Sequence, residues 1–260
     1  MSATSSRKQS HFVTESPLFR WAFSSLGKKC IVATTGSLLI LFLIGHMLGN
    51  FTLYFGYEAI NSYAEKLKSL GPLLWMVRLG LLAIFAAHVG FTILLVLENR
   101  AAAGGKYFAG NKVESNIFVK TMKYTGLVIF AFVVFHLAHF TLGLVQPDAY
   151  HLVDPEGRHD VYSMVVLGFQ NVPISVFYIL GMVLIGFHLS HGIGSLFQTL
   201  GLSNKTLRPL FDKGGFVLAW LIALGFITLP VSVLTGFVKL PEYYPIKASA
   251  ASYQSSEILH

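Results

Sequence analysis

The chain has 260 residues, 54% apolar and only 12% charged, with a mean hydropathy of +0.63. Soluble domains are about a quarter charged, so an ordinary water-soluble globule is excluded. The single cysteine, Cys30, excludes disulfide frameworks, thiolate-bound iron–sulfur clusters and covalently attached haem within the chain. Any metal falls to histidine or carboxylate.

Residues 1–29 form a polar, basic segment without a cleavable signal pattern. Five apolar runs follow, each exceeding the ~18 residues that separate a membrane span from a core helix. The first covers 30–55, after Lys28 and Lys29. A polar connection over 56–72 carries Glu58, Asn61, Tyr63, Glu65 and Lys66. The second run, 73–97, closes at Glu98-Asn99-Arg100, and a Gly/Lys-rich loop follows over 101–123. The third covers 124–145, and an acidic loop leads to the fourth over 173–198, with Pro173 suited to a first helical turn. The fifth covers 215–238, where Pro230 predicts a kink. Residues 239–260 form a polar tail.

The expected fold is an all-α integral membrane protein, a five-helix bundle spanning 30–238 between the segments 1–29 and 239–260. Thirteen of the nineteen Lys and Arg lie in the N-terminal segment and the II–III and IV–V loops, and six lie on the other side. The positive-inside rule then expects a cytoplasmic N-terminus and a C-terminus outside. The same bias accounts for the net charge of +7 without nucleic acid.

Six of the ten histidines lie inside spans: His46 (I), His88 (II), His136 and His139 (III), and His188 and His191 (IV). Span V has none. Intramembrane histidines are costly and usually functional. A rise of ~1.5 Å per residue puts His46 and His136 each roughly 13 Å below the outer ends of their spans, and His88 and His188 each roughly 22 Å. Two pairs at two depths are expected, each able to grip a haem iron from both faces. Gly45, Gly49, Gly90, Gly143, Gly181, Gly186, Gly192 and Gly194 cluster around them, and small residues let a macrocycle or a helix lie close. His139 and His191 each follow a candidate by three residues on nearly the same face. On spacing alone, either can replace its neighbour as ligand.

These residues resemble a known family. The chain is similar to the dihaem cytochrome b membrane anchor of succinate dehydrogenase and quinol:fumarate reductase, in its five-helix, single-anchor form. The matching stretches are Thr34-Thr35-Gly36, Gly45-His46-Met47-Leu48-Gly49-Asn50, Gly56-Tyr57-Glu58-Ala59-Ile60-Asn61-Ser62, Ala87-His88-Val89, Phe135-His136-Leu137 and Phe187-His188-Leu189-Ser190-His191-Gly192. The resemblance implies two b haems, with His46 and His136 on the outer one and His88 and His188 on the inner one. It chooses His188 over His191.

It further implies a membrane quinone, menaquinone ahead of ubiquinone. A flavoprotein subunit and an iron–sulfur subunit would dock on the cytoplasmic face of a bacterial inner membrane and carry the FAD and Fe–S clusters. The chain would then be a subunit of a respiratory enzyme of the tricarboxylic acid cycle, with no succinate or fumarate site of its own. Quinone chemistry also needs a proton-exchanging group, for which Glu65 is the candidate. Some relatives carry a glutamate two residues before the span IV ligand, where this chain has Gly186. A cytochrome b anchor of a hydrogenase or formate dehydrogenase is the alternative with a different soluble partner.

Overall fold

The computed structural model describes residues 16–102 and 117–244. The loop residues 103–116, with Lys106 and Lys112, lie outside them, as do 1–15, with His11, and 245–260, with His260. The helices are α1 (Pro17–Ala22), α2 (Ser25–Phe51), α3 (Tyr57–Ser69), α4 (Pro72–Ala102), α5 (Ile117–His136), α6 (Pro147–Tyr150), α7 (Val161–Gln170), α8 (Val172–Thr199) and α9 (Arg208–Leu234). A 3₁₀ turn, Thr52–Phe55, prolongs α2, and a π turn, Leu137–Thr141, prolongs α5. No strand occurs among the described residues, where two residues only bridge singly. Helices α2, α4, α5, α8 and α9 are long and apolar enough to cross a membrane. The chain is a multi-pass helical membrane protein.

Local sequence explains where the spans begin. Ser24 Oγ accepts from Gly27 N at 3.0 Å, which starts α2 five residues before the expected boundary. Asn171 Oδ1 accepts from Ile174 N at 3.2 Å, and Pro173 lies in the first turn of α8. Asn204 Oδ1 accepts from Thr206 N and Leu207 N at 3.0 and 2.8 Å, which leads into α9 at Arg208 rather than Gly215. Helix α9 continues through Pro230 to Leu234.

Helices α8 and α9 form the best-packed pair, and α5 and α2 lie against α8. Helix α4 has no buried residue, and its chief neighbour is α2. At the end where the chain enters α2 and leaves α4, the buried ammonium of Lys28 donates to Glu98. Lys29, Arg100 and Arg208 stand at this same basic end.

The opposite end is capped by structure that the apolar runs do not announce. The connection over 56–72 is mostly an amphipathic helix, α3, which turns Ile60 and Asn61 inward. Gly56, at φ 93°, makes the reversal from span I into α3. The loop before span IV contains α7, most of whose residues are buried. It is apolar all round because α3, α6, α8 and α9 surround it.

Asn61 ties these pieces together. Its amide donates to Asp154 Oδ2 and Asp160 Oδ1, both at 3.1 Å, and its carbonyl accepts from Tyr162 N at 3.0 Å. Arg158 donates through Nε to Asp154 Oδ2 at 2.8 Å, and through both terminal nitrogens to Glu58 at 2.9 and 2.7 Å. The C-terminal segment joins through Tyr243, whose hydroxyl donates to Asp160 Oδ2 at 2.9 Å. Hydrogen bonds from Arg158 and Ser62 hold the Glu58 carboxyl down at about 2. Burial pushes Asp154 up, but the bonds from Arg158 and Asn61 more than reverse it, leaving it below its ordinary value.

Arg158→Ala removes the ion pairs to Asp154 and Glu58 and should lower the unfolding temperature in detergent. Because both carboxyls are held low, the clamp's contribution is complete above about pH 5. It should be lost progressively on acidification towards the Glu58 value of about 2.

Candidate functional site

The structure brings the span histidines together across helices. The rings of His46 (α2) and His136 (α5) meet edge to face, with centroids 5.8 Å apart and planes at 78°. His188 (α8) lies within electrostatic range of His88 (α4) and of its own neighbour His191. His46 and His136, which the depth arithmetic pairs, are in ring contact towards the capped end.

Small residues make the inner pair's surroundings close. A Cβ added to Gly36 of α2 would lie 3.2 Å from His88 Cε1, and one added to Gly126 of α5 would lie 3.7 Å from His188 Cε1. The glycines expected to serve close packing divide into two groups. Gly49 abuts Tyr63, Gly181 abuts Phe132, Gly186 abuts Ala223 and Trp220, and Gly194 abuts Asp212. Gly45, Gly90 and Gly192 have open space where a side chain would be. Gly143, at φ 66°, serves a turn after the π segment.

Hydrogen bonds separate the histidines further. His139 is 3% exposed, with Nδ1 3.0 Å from the Tyr178 hydroxyl and Nε2 2.9 Å from Gln146 Oε1. Both nitrogens are committed, so His136 rather than His139 keeps a nitrogen for a ligand. His136 Nδ1 stands 3.5 Å from the same hydroxyl. His88 Nδ1 is 3.2 Å from Thr35 Oγ1, whose own proton goes to Ile31 O at 2.7 Å. Thr35 therefore accepts from His88 Nδ1–H, which leaves His88 Nε2 with its lone pair. Asn50 Nδ2 donates to the His46 carbonyl at 2.8 Å and lies 3.4 Å from either ring nitrogen of His46. His188 Nδ1 is buried with no hydrogen-bond partner among the described residues.

Thr35, Tyr178 and Gln146 are functional candidates that sequence reasoning overlooks. Thr35 and Gly36 had a readable signal, since they stand about one helical turn from the depth of His88. Tyr178 and Gln146 gave none, because their role depends on how α5 meets α8.

The donor set fits a macrocyclic iron better than a bare ion. Among the described residues, no three of His, Cys, Asp and Glu converge on one point, and bare zinc takes three or four protein ligands. Haem iron needs only axial ligands from the protein. The His46 and His136 rings, with centroids 5.8 Å apart, are neighbours on different spans.

Glu65 lies on the exposed side of α3, and no hydrogen bond or ion pair joins it to another described residue. Its neighbour Tyr63 is the α3 residue that reaches span I, against Gly49. Glu58 belongs to the clamp around Arg158. No family model, curated protein or solved structure matches the chain.

A close span contact at this site is Phe132 against Gly181, where an added Cβ would meet the ring at 2.5 Å. Gly181→Val should force α5 off α8 and cost about 1–3 kcal/mol, seen as a lower unfolding temperature. Adding Phe132→Ala should recover part of that loss.

Proposed function

We propose that the chain is the dihaem cytochrome b membrane anchor of a succinate:quinone oxidoreductase. It would carry electrons between an iron–sulfur subunit and a membrane quinone, with His46 and His136 holding one haem and His88 and His188 the other. The observation that supports the reading is the ring contact of His46 and His136, two histidines from different spans. His88 and His188 would form the second pair, towards the basic end. The choice of succinate or fumarate as the distant substrate rests on the resemblance in the histidine motifs.

When bound, the two haems supply one-electron carriers at two depths of the membrane. The chain's own residues orient them. Thr35 fixes the tautomer of His88, while Gly36 and Gly126 leave room beside the rings of His88 and His188. The basic end would face the cytoplasm and receive the iron–sulfur and flavoprotein subunits, which bring the Fe–S clusters and FAD. Quinone, menaquinone ahead of ubiquinone, would react towards the capped end. Glu65, exposed on α3, is the carboxylate we assign to proton exchange there. A side chain at Gly186 would run into Ala223 and Trp220, so proton movement through a glutamate at that position has no counterpart here.

Reduced-minus-oxidised spectra of ligand variants test the haem assignment. His188→Ala should leave one b haem and His139→Ala should leave two; two haems retained in His188→Ala would sink it. Glu65→Gln should slow quinone turnover several-fold with haem content unchanged. Purification of the native complex tests the partner. A covalent or tightly bound flavin should accompany the chain, and a flavin-free complex with hydrogenase or formate dehydrogenase activity would favour the alternative anchor.

A further inference from the structure

His139 is the most buried of the span histidines, and the proposed ligand set does not use it. We propose that Gln146, His139 and Tyr178 form a hydrogen-bonded chain that fixes the tautomer and aim of His136. They would thereby set the redox potential of the metal centre it binds. The inference rests on the haem reading above.

Proton counting gives the chain its direction. Gln146 presents its carbonyl oxygen, which only accepts, so His139 Nε2 carries the hydrogen across the 2.9 Å contact. His139 Nδ1 must then accept, and the single proton of Tyr178 goes to it over 3.0 Å. The tyrosine oxygen is left with lone pairs alone, facing His136 Nδ1 at 3.5 Å. His136 therefore keeps its hydrogen on Nδ1 and offers the Nε2 lone pair to a metal. Turning the Gln146 amide round would reverse every donor and place the hydrogen on His136 Nε2, where it blocks ligation. Ligand competence of His136 is thus tied to the sense of an amide ten residues away.

The surroundings hold the chain in place. The His139 ring stacks on Phe140 with centroids 3.9 Å apart. Gly168 of α7 lies against it, so that a Cβ there would be 3.3 Å from His139 Cε1. Tyr178 is 6% exposed and meets the edges of Phe132, Phe140 and Phe169 at 5.3, 5.7 and 5.1 Å. The π turn over Leu137–Thr141, closed by Leu142 N donating to Leu137 O at 2.9 Å, widens the helix just where His139 must reach both partners.

An imidazole that donates from its second nitrogen is the more basic ligand, and a more basic ligand favours the oxidised metal. Tyr178→Phe keeps the ring but removes the acceptor. Gln146→Glu makes the far end accept more strongly. The test is a spectroelectrochemical titration of the intact complex carrying each variant and both together.

Tyr178→Phe should retain two b haems and raise one of the two midpoint potentials, leaving the other in place. Gln146→Glu should lower that same potential, and most of its effect should vanish in the Tyr178→Phe background. Two haems with both potentials unmoved in the single variants would overturn the proposal. So would a Gln146→Glu shift that persists undiminished without the tyrosine hydroxyl, since that would be through-space charge alone. Should Tyr178→Phe fail to assemble, His139→Ala serves as the second background, and a Gln146→Glu shift that is absent in the parent or undiminished in His139→Ala overturns the chain. Parent protein lacking any b haem would bring down the haem reading itself, which is a separate and earlier outcome.

Discussion

A ring nitrogen inside a bilayer has no water to turn to, and this constraint organises the interior of the protein. Every intramembrane imidazole must find donors, acceptors or a metal. His139 meets the requirement with Tyr178 and Gln146 on its two nitrogens. His88 commits one nitrogen to Thr35, and His136 points one towards Tyr178. His188 leaves a buried nitrogen with no partner among the described residues. His46 and His136, in ring contact from different helices, would suit coordination to a shared centre. The fully satisfied His139 suits a supporting place behind it.

The cap makes that arrangement possible. Helix α3 returns the chain from span I to span II, and Asn61 and Arg158 fasten it to α7 and the preceding loop. With α7 seated on α9 and leading directly into α8, the heights of spans I, IV and V are fixed relative to one another. Span II is fastened at its other end, through Lys28 and Glu98. Polar networks of this kind are costly when half-made, and this one leaves Asp154 and Asp160 buried but fully partnered. Rigidity at the capped end, next to His46 and His136, keeps two imidazoles of separate helices beside one another.

Much of this was legible in the sequence, for physical reasons. Membrane thickness fixes span length, so five apolar runs read as five helices, and a constant rise per residue put His46 and His136, which are in ring contact, at one depth. The boundaries slipped where caps lie among polar residues: Ser24 starts α2 early, and Asn204 precedes an early α9. Helix α3 was readable in retrospect, since Tyr57, Ile60, Ala64 and Leu67 recur at helical spacing. Helix α7 was not, because ten apolar residues without periodicity are too few to span a membrane and give no face to recognise. The glycines were read as one class and proved to be several, since sequence does not say which neighbour a backbone meets. The hydrogen bonds that distinguish His136 from His139 depend on the crossing of α5 and α8, which no local pattern encodes.

The most direct test of the central claim is the haem content of the purified chain in its native membrane complex, by pyridine haemochrome assay against protein mass. Two non-covalent b haems per chain, both low-spin, are predicted by two histidine pairs. No haem, or one haem that survives loss of either pair, would contradict the account.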